Sequence, residues 1–503
     1  MVPVKQIERS EEGRALVRRK PDGAPCAVKA ACTVRSGGKG GEGSKPYLSL
    51  YGIMATSIMV GGLQAYGIET GFYIPDRIKE GYGLQPHTVQ LAYEKGYRTI
   101  VTVDNGVKAK EALELAQTLG MTTIVTDHHV IEEDVNCDIL VHPSLLEDEF
   151  SGLCGAGVAY ECMRVLGVAS DYHLMMAAVA SIGDVMPVTK QTRCIIQHGI
   201  RLLNEKKEIH LSGFIKDQHV TETTIAFQVV PKINSIGRLS NMANANNVVR
   251  YMLSEDRDEI IKLAGQIEQI NERRKVISAQ MSDQALRMLD RRKAVHLIMS
   301  PGFHEGIIGL VAGKICNETN RPTIVAAKNV NGYKMSMRAP KGFDCLEFLK
   351  DFPSFSAIGG HTQVAGFSID LADYASFERY VETRANTYEW REAEPDHEML
   401  IDESDINVAA IESLDILRPF GPGFEMPVMI LENPSIKNLY DFQNARHRRY
   451  TLSSGACCMR FNQPGDEIQK SVNRIRSFEG ELQVSEYRGR KQANFMIEKI
   501  TYQ

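Results

Sequence analysis

The pattern of apolar and polar positions changes character several times along the chain. Between Leu48 and about Leu253, short β-branched runs alternate with helical segments whose apolar residues recur every three or four positions. That alternation predicts a parallel sheet covered by helices on both faces. Thr99 to Val103 is one such run, ending on Asp104, and a second ends in Val125-Thr126-Asp127-His128-His129. The helical segment between them places Ala112, Leu115, Ala116 and Leu119 on one face, and Gly120 stops it. From Ser254 to about Leu289, Ile260, Ile261, Leu263, Ile267, Ile270 and Ile277 recur among charged residues, which predicts one long helix capped at Ser254. At 1.5 Å per residue it would span about 50 Å, enough to join two lobes. A second α/β unit follows over about 293–386. The last hundred residues are strand-rich, with Leu482 to Tyr487 and Ala493 to Ile500 forming a hairpin around Arg488-Gly489-Arg490, and they fit a small β-barrel.

These patterns divide the chain into 1–46, 47–253, 254–291, 292–390 and 391–503. The first segment lacks steady periodicity and ends in Ser36-Gly37-Gly38-Lys39-Gly40-Gly41-Glu42-Gly43-Ser44, a linker composition. It is expected to be disordered, without a strand or helix. At 503 residues the chain exceeds a single hydrophobic core, and 43% hydrophobic with 24% charged residues is ordinary for a soluble protein. No apolar run approaches the roughly 18 residues of a membrane span, and none near the start resembles a secretory signal, so a cytoplasmic protein is expected. Ten cysteines without a C-x-x-C pair predict reduced thiols and argue against structural zinc. The net charge of −5 neither indicates nor excludes a nucleic-acid partner, because a basic groove can sit on an acidic body.

The chemistry concentrates in the first α/β lobe. Two parallel strand ends would aim Asp104 and His128 at one crevice, where open α/β sheets bind ligands. Asp104, Asp127, His128, His129 and Asp184 supply carboxylates and imidazoles of the kind manganese or magnesium accepts, with the nitrogen favouring manganese. Such a centre suits phosphodiester hydrolysis. The competing reading, in which each acid merely caps a turn, is strong for a lone Asp and weak for an acid followed by two histidines.

Further blocks accompany these residues. They are Ile74-Pro75-Asp76-Arg77 with Glu80-Gly81-Tyr82-Gly83, Thr102-Val103-Asp104-Asn105-Gly106, and Cys154-Gly155-Ala156-Gly157. Then come Ile233-Asn234-Ser235-Ile236-Gly237-Arg238-Leu239, His304-Glu305-Gly306-Ile307-Ile308-Gly309, Ser336-Met337-Arg338 and Gly359-Gly360-His361. In this order they resemble the DHH phosphoesterase superfamily, and within it the RecJ family of single-strand-specific exonucleases. The resemblance implies a DHH lobe, a DHH-associated lobe and an OB-like barrel. It also implies a 5′ to 3′ exonuclease using Mn2+ or Mg2+ on single-stranded DNA in repair and recombination, possibly served by a helicase and a single-strand-binding protein. By the same resemblance Asp104 would bridge metals, His128 and Asp184 would hold one of them, and His129 would contact the scissile phosphate. Asp127 would orient the imidazoles. Arg238, placed in a loop, would bind phosphate, with a surface ion pair as the alternative. His304, Ser336, Arg338, Gly359, Gly360 and His361 would grip a terminal 5′-phosphate, with a plain turn as the alternative for the two glycines. In the barrel, Arg446, His447, Arg448, Arg449 and Tyr450, and Tyr487 with Arg488, Arg490 and Lys491, would follow a single strand, or else be solvated loop charge.

One departure bears on activity. The family opens its metal site with an Asp-x-Asp element and Gly before a helix, and this chain has Leu48-Ser49-Leu50-Tyr51-Gly52-Ile53-Met54-Ala55-Thr56-Ser57, with no Asp between Asp22 and Asp76. One metal keeps its ligands and a second loses most of them, so weak or absent turnover is expected. The alternatives are a DHH-type oligoribonuclease or cyclic-dinucleotide phosphodiesterase, against which the C-terminal module argues, and a non-catalytic DNA-binding relative.

Overall fold

The computed structural model describes residues 30–34, 50–75, 83–240, 242, 244–330, 332–391, 393, 398–443, 446–461, 463, 471–487 and 489–503. Asp76, Arg77, Glu80, Gly81 and Tyr82 of the first family-like block, and Arg488, lie outside them. Two compact units divide between Trp390 and Arg391.

The first unit opens with a five-stranded parallel sheet in the order β2-β1-β3-β4-β5. Its strands are Ala30–Val34, Thr70–Tyr73, Thr99–Val103, Thr122–Thr126 and Ile139–Val141, numbered β1 to β5 in chain order. Strand β1 corrects the expectation of a structureless 1–46 segment. Ala30-Ala31-Cys32-Thr33-Val34 is short and lacks the period-2 alternation by which strands are recognised, so its pairing with both β2 and β3 is a tertiary outcome. Sheet order reverses between β1 and β3, which is where a crevice opens at the carboxyl ends of the strands. The Lys110–Thr118 helix buries Ala112, Leu113 and Ala116, and Gly120 takes a positive φ of 68° just beyond it. The helices Leu50–Ala65, Gly155–Val165 and Asp171–Gly183 share one apolar core with Val101 and Val103 of β3.

The connecting helix runs over Arg257–Met288, and Asp256 caps it, accepting from the amides of Asp258 and Glu259 at 2.9 and 3.3 Å. Ser254, the expected cap, instead bonds Glu259 Oε2 and the Asp256 amide. The shift follows from side-chain chemistry: a carboxylate at 256 accepts two amides that a hydroxyl two residues earlier cannot reach. Beyond the helix lies a mixed sheet in the order β6-β7-β8-β10-β9. Its strands are β6 (His296–Ser300), β7 (Thr323–Lys328), β8 (Gly332–Arg338), β9 (Ala357–His361) and β10 (Val364–Asp370). Phe343, Phe348, Phe352, Phe367 and Phe377 fill the core on its helical side.

The second unit carries a seven-stranded sheet in the order β11-β12-β16-β17-β15-β14-β13. These are Glu398–Ile401, Val428–Glu432, Ile436–Phe442, His447–Leu452, Cys457–Arg460, Ile475–Tyr487 and Arg490–Tyr502, β11 to β17 in chain order. The last two pair antiparallel as the expected hairpin. Cys457 and Cys458 are free thiols. No helix among the described residues is long and apolar enough to cross a membrane.

Asp256→Ala should destabilise the first turn of the connecting helix by about 1 kcal/mol. Hydrogen exchange should show the Asp258 and Glu259 amides losing protection in that variant, and keeping it in Ser254→Ala.

Candidate active site

Each acid at a strand tip makes the last ladder bond of its strand. The Asp104 amide donates to the Thr126 carbonyl at 2.9 Å, and the Asp127 amide to the Val141 carbonyl at 3.2 Å. Immediately afterwards the chain turns. Asp104 has φ 61° and Gly106 φ 122°, and a Cβ on Gly106 would lie 2.4 Å from Thr102 Oγ1, so the backbone closes against its own strand and only glycine fits there. A carboxyl residue in the left-handed region is the kind of local strain that packing must hold in place.

Asp127 is occupied by its neighbours. Its Oδ1 accepts from the amides of His128 and His129 at 2.8 and 3.2 Å and from His129 Nδ1 at 2.6 Å, while Oδ2 accepts from the Val107 amide at 3.1 Å. Burial pushes its carboxyl up, but His129, His128 and the Val107 amide outweigh burial and hold it well below the usual carboxylate range. With Nδ1 donating to Asp127, His129 presents Nε2 as an acceptor, and that atom is buried without a hydrogen-bond partner among the described residues. His142, at the tip of β5, donates from Nε2 to the His129 carbonyl at 2.8 Å and so fixes the same loop. Sequence reasoning missed His142; its signal was its place at the end of the next parallel strand.

His128 joins the acids from two elements. Its Nε2 lies 3.0 Å from Asp104 Oδ1 and 3.6 Å from Asp184 Oδ2. Asp184 ends the Asp171–Gly183 helix, its amide bonded to the Ala180 carbonyl at 2.8 Å. Candidate ligand atoms of Asp104, His128 and His129 all fall within 4.8 Å of one another. The structure therefore brings Asp104, Asp127, His128, His129 and Asp184 into one cluster. Asp104 is fully buried, and neither of its carboxylate oxygens has a hydrogen-bond partner among the described residues; the approach of His128 is close enough for attraction but poorly aligned. Buried carboxylates left in this state are costly unless a cation joins them, so Asp104, His128 and Asp184 fit a divalent metal, with His129 beside it. Burial opposes charge on His128, but the carboxylates of Asp104, Asp184 and Asp127 raise it to about 9. The first turn of the Gly155–Val165 helix completes the cage: a Cβ on Gly155 would lie 2.3 Å from Asp104 Oδ1 and 2.5 Å from its Cβ.

Arg238 closes the Val230–Arg238 helix rather than lying in a loop. A π-helical turn over Ile225–Val229 leads into this helix, and Ile225, Val229 and Ile233 are buried in the core of the lobe with Val230 packed against it. Gly306 packs on the end of this helix, where a Cβ would meet the Arg238 carbonyl at 2.0 Å. His304 Nδ1 accepts from the Gly306 amide at 3.0 Å, and burial lowers its pKa, keeping the ring neutral. Ser336 and Arg338 form a second group on β8. Arg338 Nη1 donates to Ser336 Oγ at 2.8 Å and to the Met337 carbonyl at 2.7 Å. The Ile308–Thr319 helix starts against them, with a Cβ on Gly309 placed 2.9 Å from Arg338 Nη2 and 3.2 Å from Ser336 Oγ. Gly359, Gly360 and His361 lie in the edge strand β9, not in a turn. A Cβ on Gly360 would meet the Val364 carbonyl at 2.1 Å, so close strand approach explains that glycine. Register aligns Gly359, Gly366 and Ser336 in one row and His361, Val364 and Arg338 two residues along, on the same face.

In the second unit the expected basic and aromatic cluster is partly internal. Arg448 forms a bidentate pair with Asp441 at 2.6 and 2.8 Å, and Tyr450 is buried against Phe478, because their strand β14 faces these side chains inward. Exposed rings stand instead on β13 and just after β15: Tyr440 stacks on Phe442 at 6.3 Å with planes 14° apart, and Phe461 meets Phe442 edge-on.

Three family descriptions match consecutive parts of the chain: the DHH family N-terminal domain at 51–183, the DHHA1 domain at 291–386 and the RecJ OB domain at 397–499. The single-stranded-DNA-specific exonuclease RecJ of Bacillus subtilis is 30% identical over 474 residues, covering 89% of this chain and 59% of that protein. Its namesake from Thermus thermophilus is 28% identical over 391 residues, covering 76% of this chain and 57% of that protein. The crystal structure of RecJ in complex with Mn2+ from Thermus thermophilus superposes with a TM-score of 0.78 at 23% identity, covering 95% of this chain and 69% of that one. The chain belongs to the RecJ family. It spans under two thirds of the length of these two curated relatives.

At the start of the Leu50–Ala65 helix the Leu50 amide donates to Asn234 Oδ1 at 2.9 Å, and Tyr51 is buried near the candidate metal cluster. Burial first, then the charges of Asp184 and Asp104, raise the Tyr51 phenol well above its ordinary pKa, so its hydroxyl stays neutral. Arg238 acts on the same phenol in the opposite direction.

Two outcomes follow for this RecJ centre. Gly155→Ala keeps every ligand yet should abolish manganese binding, measured by titration calorimetry, because its Cβ would overlap Asp104. Manganese binding near neutral pH should release about one proton, since His128 carries a proton there and must lose it to bind metal. Apparent affinity should therefore climb with pH up to about 9 and flatten above it; calorimetry in buffers of different ionisation enthalpy reads the proton count.

Proposed function

We propose that this chain is a single-strand-specific 5′ to 3′ exonuclease of the RecJ type, using Mn2+ or Mg2+ held by Asp104, His128 and Asp184. The observation that carries the reading is the buried cluster at the strand tips, where Asp104 and His129 keep atoms free of protein hydrogen bonds. A bound divalent cation there would lower the pKa of a coordinated water and neutralise a phosphoryl oxygen. Asp127 holds the His129 tautomer, so that His129 Nε2 faces the scissile phosphate. Arg238, beside the cluster, suits bidentate contact with phosphate oxygens. Ser336, Arg338 and the start of the Ile308–Thr319 helix make an anion cradle for a terminal 5′-phosphate, with His304, Gly359, Gly360 and His361 as its further contacts. The exposed Tyr440 and Phe461, with the half-buried Phe442 between them, offer the second unit a stacking surface for unpaired bases. Single-stranded DNA is thus the substrate and the cytoplasm its place; a helicase and a single-strand-binding protein enter as partners through the family alone.

The missing Asp-x-Asp acids favour a second reading, a relative that binds single strands without turning them over. Manganese-dependent release of nucleotides from 5′-phosphorylated single strands decides between them. Slow release that Asp104→Ala abolishes supports the exonuclease, and the paired substitution Ser49→Asp and Tyr51→Asp should raise the rate. Asp127→Asn should weaken metal affinity roughly 10- to 100-fold. Binding without release, before and after the Asp pair is restored, establishes the non-catalytic reading, whereas cleavage confined to dinucleotides assigns the chain to short substrates.

A further inference from the structure

His142 stands just beyond β5, buried, with both ring nitrogens engaged. Nδ1 lies 2.7 Å from Ser144 Oγ and accepts from the Ser144 amide at 3.2 Å, so it carries a lone pair and not a proton. Nε2 lies 2.8 Å from the His129 carbonyl, which can only accept, so the proton is there. Contacts on the two sides of the ring thus agree on one species, the neutral imidazole protonated at Nε2. The same Nδ1 caps the short Pro143–Leu145 turn.

The backbone around this ring explains what it is needed for. Thr126 pairs in parallel with Val141, and the Asp127 amide donates to the Val141 carbonyl at 3.2 Å. The next donor along β5 would be the amide of residue 143, but Pro143 has no N–H and the ladder ends there. At His129, the amide and Nδ1 both bond to Asp127 Oδ1, at 3.2 and 2.6 Å, within the loop itself. The bond to the His129 carbonyl comes from beyond a different strand, so it fixes where the loop lies as well as how it is folded. His129 Nε2 stays buried without a hydrogen-bond partner among the described residues, and His129 offers a ligand atom within 4.8 Å of those of Asp104 and His128.

We propose that His142 is a positioning residue of this centre: its imidazole N–H takes the place of the donor that Pro143 lacks, and by holding the His129 carbonyl it keeps His129 Nε2 turned toward the candidate metal cluster. Ser144 shares in this, because it selects the tautomer that can donate. What His129 Nε2 contacts in the substrate rests on the exonuclease reading; the hold on the loop does not.

The test separates the two jobs of His142 in the full chain. A glutamine amide nitrogen reaches about as far from the backbone as Nε2, and an asparagine side chain only as far as Nδ1. His142→Gln can therefore keep the bond to His129 while losing the cap, whereas His142→Asn keeps a good cap and loses the bond. Manganese affinity is measured by titration calorimetry, alongside the melting temperature of each metal-free chain. His142→Gln should bind within about twofold of wild type although it melts lower, and His142→Asn should bind roughly tenfold more weakly although it melts near wild type. Any other order of the two affinities overturns the proposal, and affinity that simply follows melting temperature marks a histidine that is merely structural. Nitrogen-15 NMR of the wild type decides the matter if a variant does not fold: a His142 proton on Nε2 supports the proposal, and one on Nδ1 overturns it. If no form releases nucleotides and the affinity order holds, the exonuclease reading falls and His142 keeps its role. If His142→Asn leaves both nucleotide release and manganese affinity unchanged, the exonuclease reading stands and the role is lost.

Discussion

The constraint on which the molecule depends is the enclosure of carboxylates at the ends of parallel strands. Asp104 and Asp127 are completely buried and Asp184 nearly so, yet they differ in what satisfies them. Asp127 spends its oxygens on four donors from its own loop and its neighbour's. Asp104 accepts no well-aligned hydrogen bond among the described residues, with only the His128 imidazole beside it at 3.0 Å, and it is held against a glycine that leaves no room to turn away. One acid is therefore a strut and the other a candidate ligand, although both follow β-branched strands. An arrangement that keeps a desolvated carboxylate unsatisfied is stable to the extent that a cation completes it.

The rest of the first unit can be understood as support for that enclosure. The order β2-β1-β3-β4-β5 opens the crevice beside β3, and the last ladder bonds of Asp104 and Asp127 hold the two tips level. Helices end or begin at the cluster: Gly155 starts one beside Asp104, Asp184 ends another, and Tyr51 starts a third. Arg238 then couples this lobe to the next, because Gly306 packs directly on its carbonyl and any side chain there would separate them. A phenol, held un-ionised by burial and by the neighbouring acids, stands in the first turn of the Leu50–Ala65 helix, which packs in the same core.

Much of the site was legible in the residues because strand ends leave a strong local signature. A β-branched run followed by Asp, and another followed by Asp-His-His, already put these groups on one edge of a parallel sheet. The same is true of the C-terminal hairpin, whose turn residues sit between two alternating runs. Other readings went astray where local pattern and tertiary context diverge. Arg238 looked like a loop residue, but Ile225, Val229 and Ile233 bury a helical face rather than a strand face. Arg448 and Tyr450 looked like a nucleic-acid contact, but Asp441, the cross-strand neighbour of Arg448, and Phe478, far along the chain, draw them inward. Ala30 to Val34 carried no strand pattern and was ordered by two neighbours.

What the amino-acid sequence determined by itself was the set of chemical groups, the alternation of elements and the family-like blocks, because these depend on side-chain type and on periodicity over a few residues. Tertiary structure alone decided which oxygen of which acid stays unsatisfied, that His142 steadies His129 and that Gly155 abuts Asp104. Those facts depend on distances between residues far apart in the chain, and on desolvation, which exists only once the surrounding elements have excluded water.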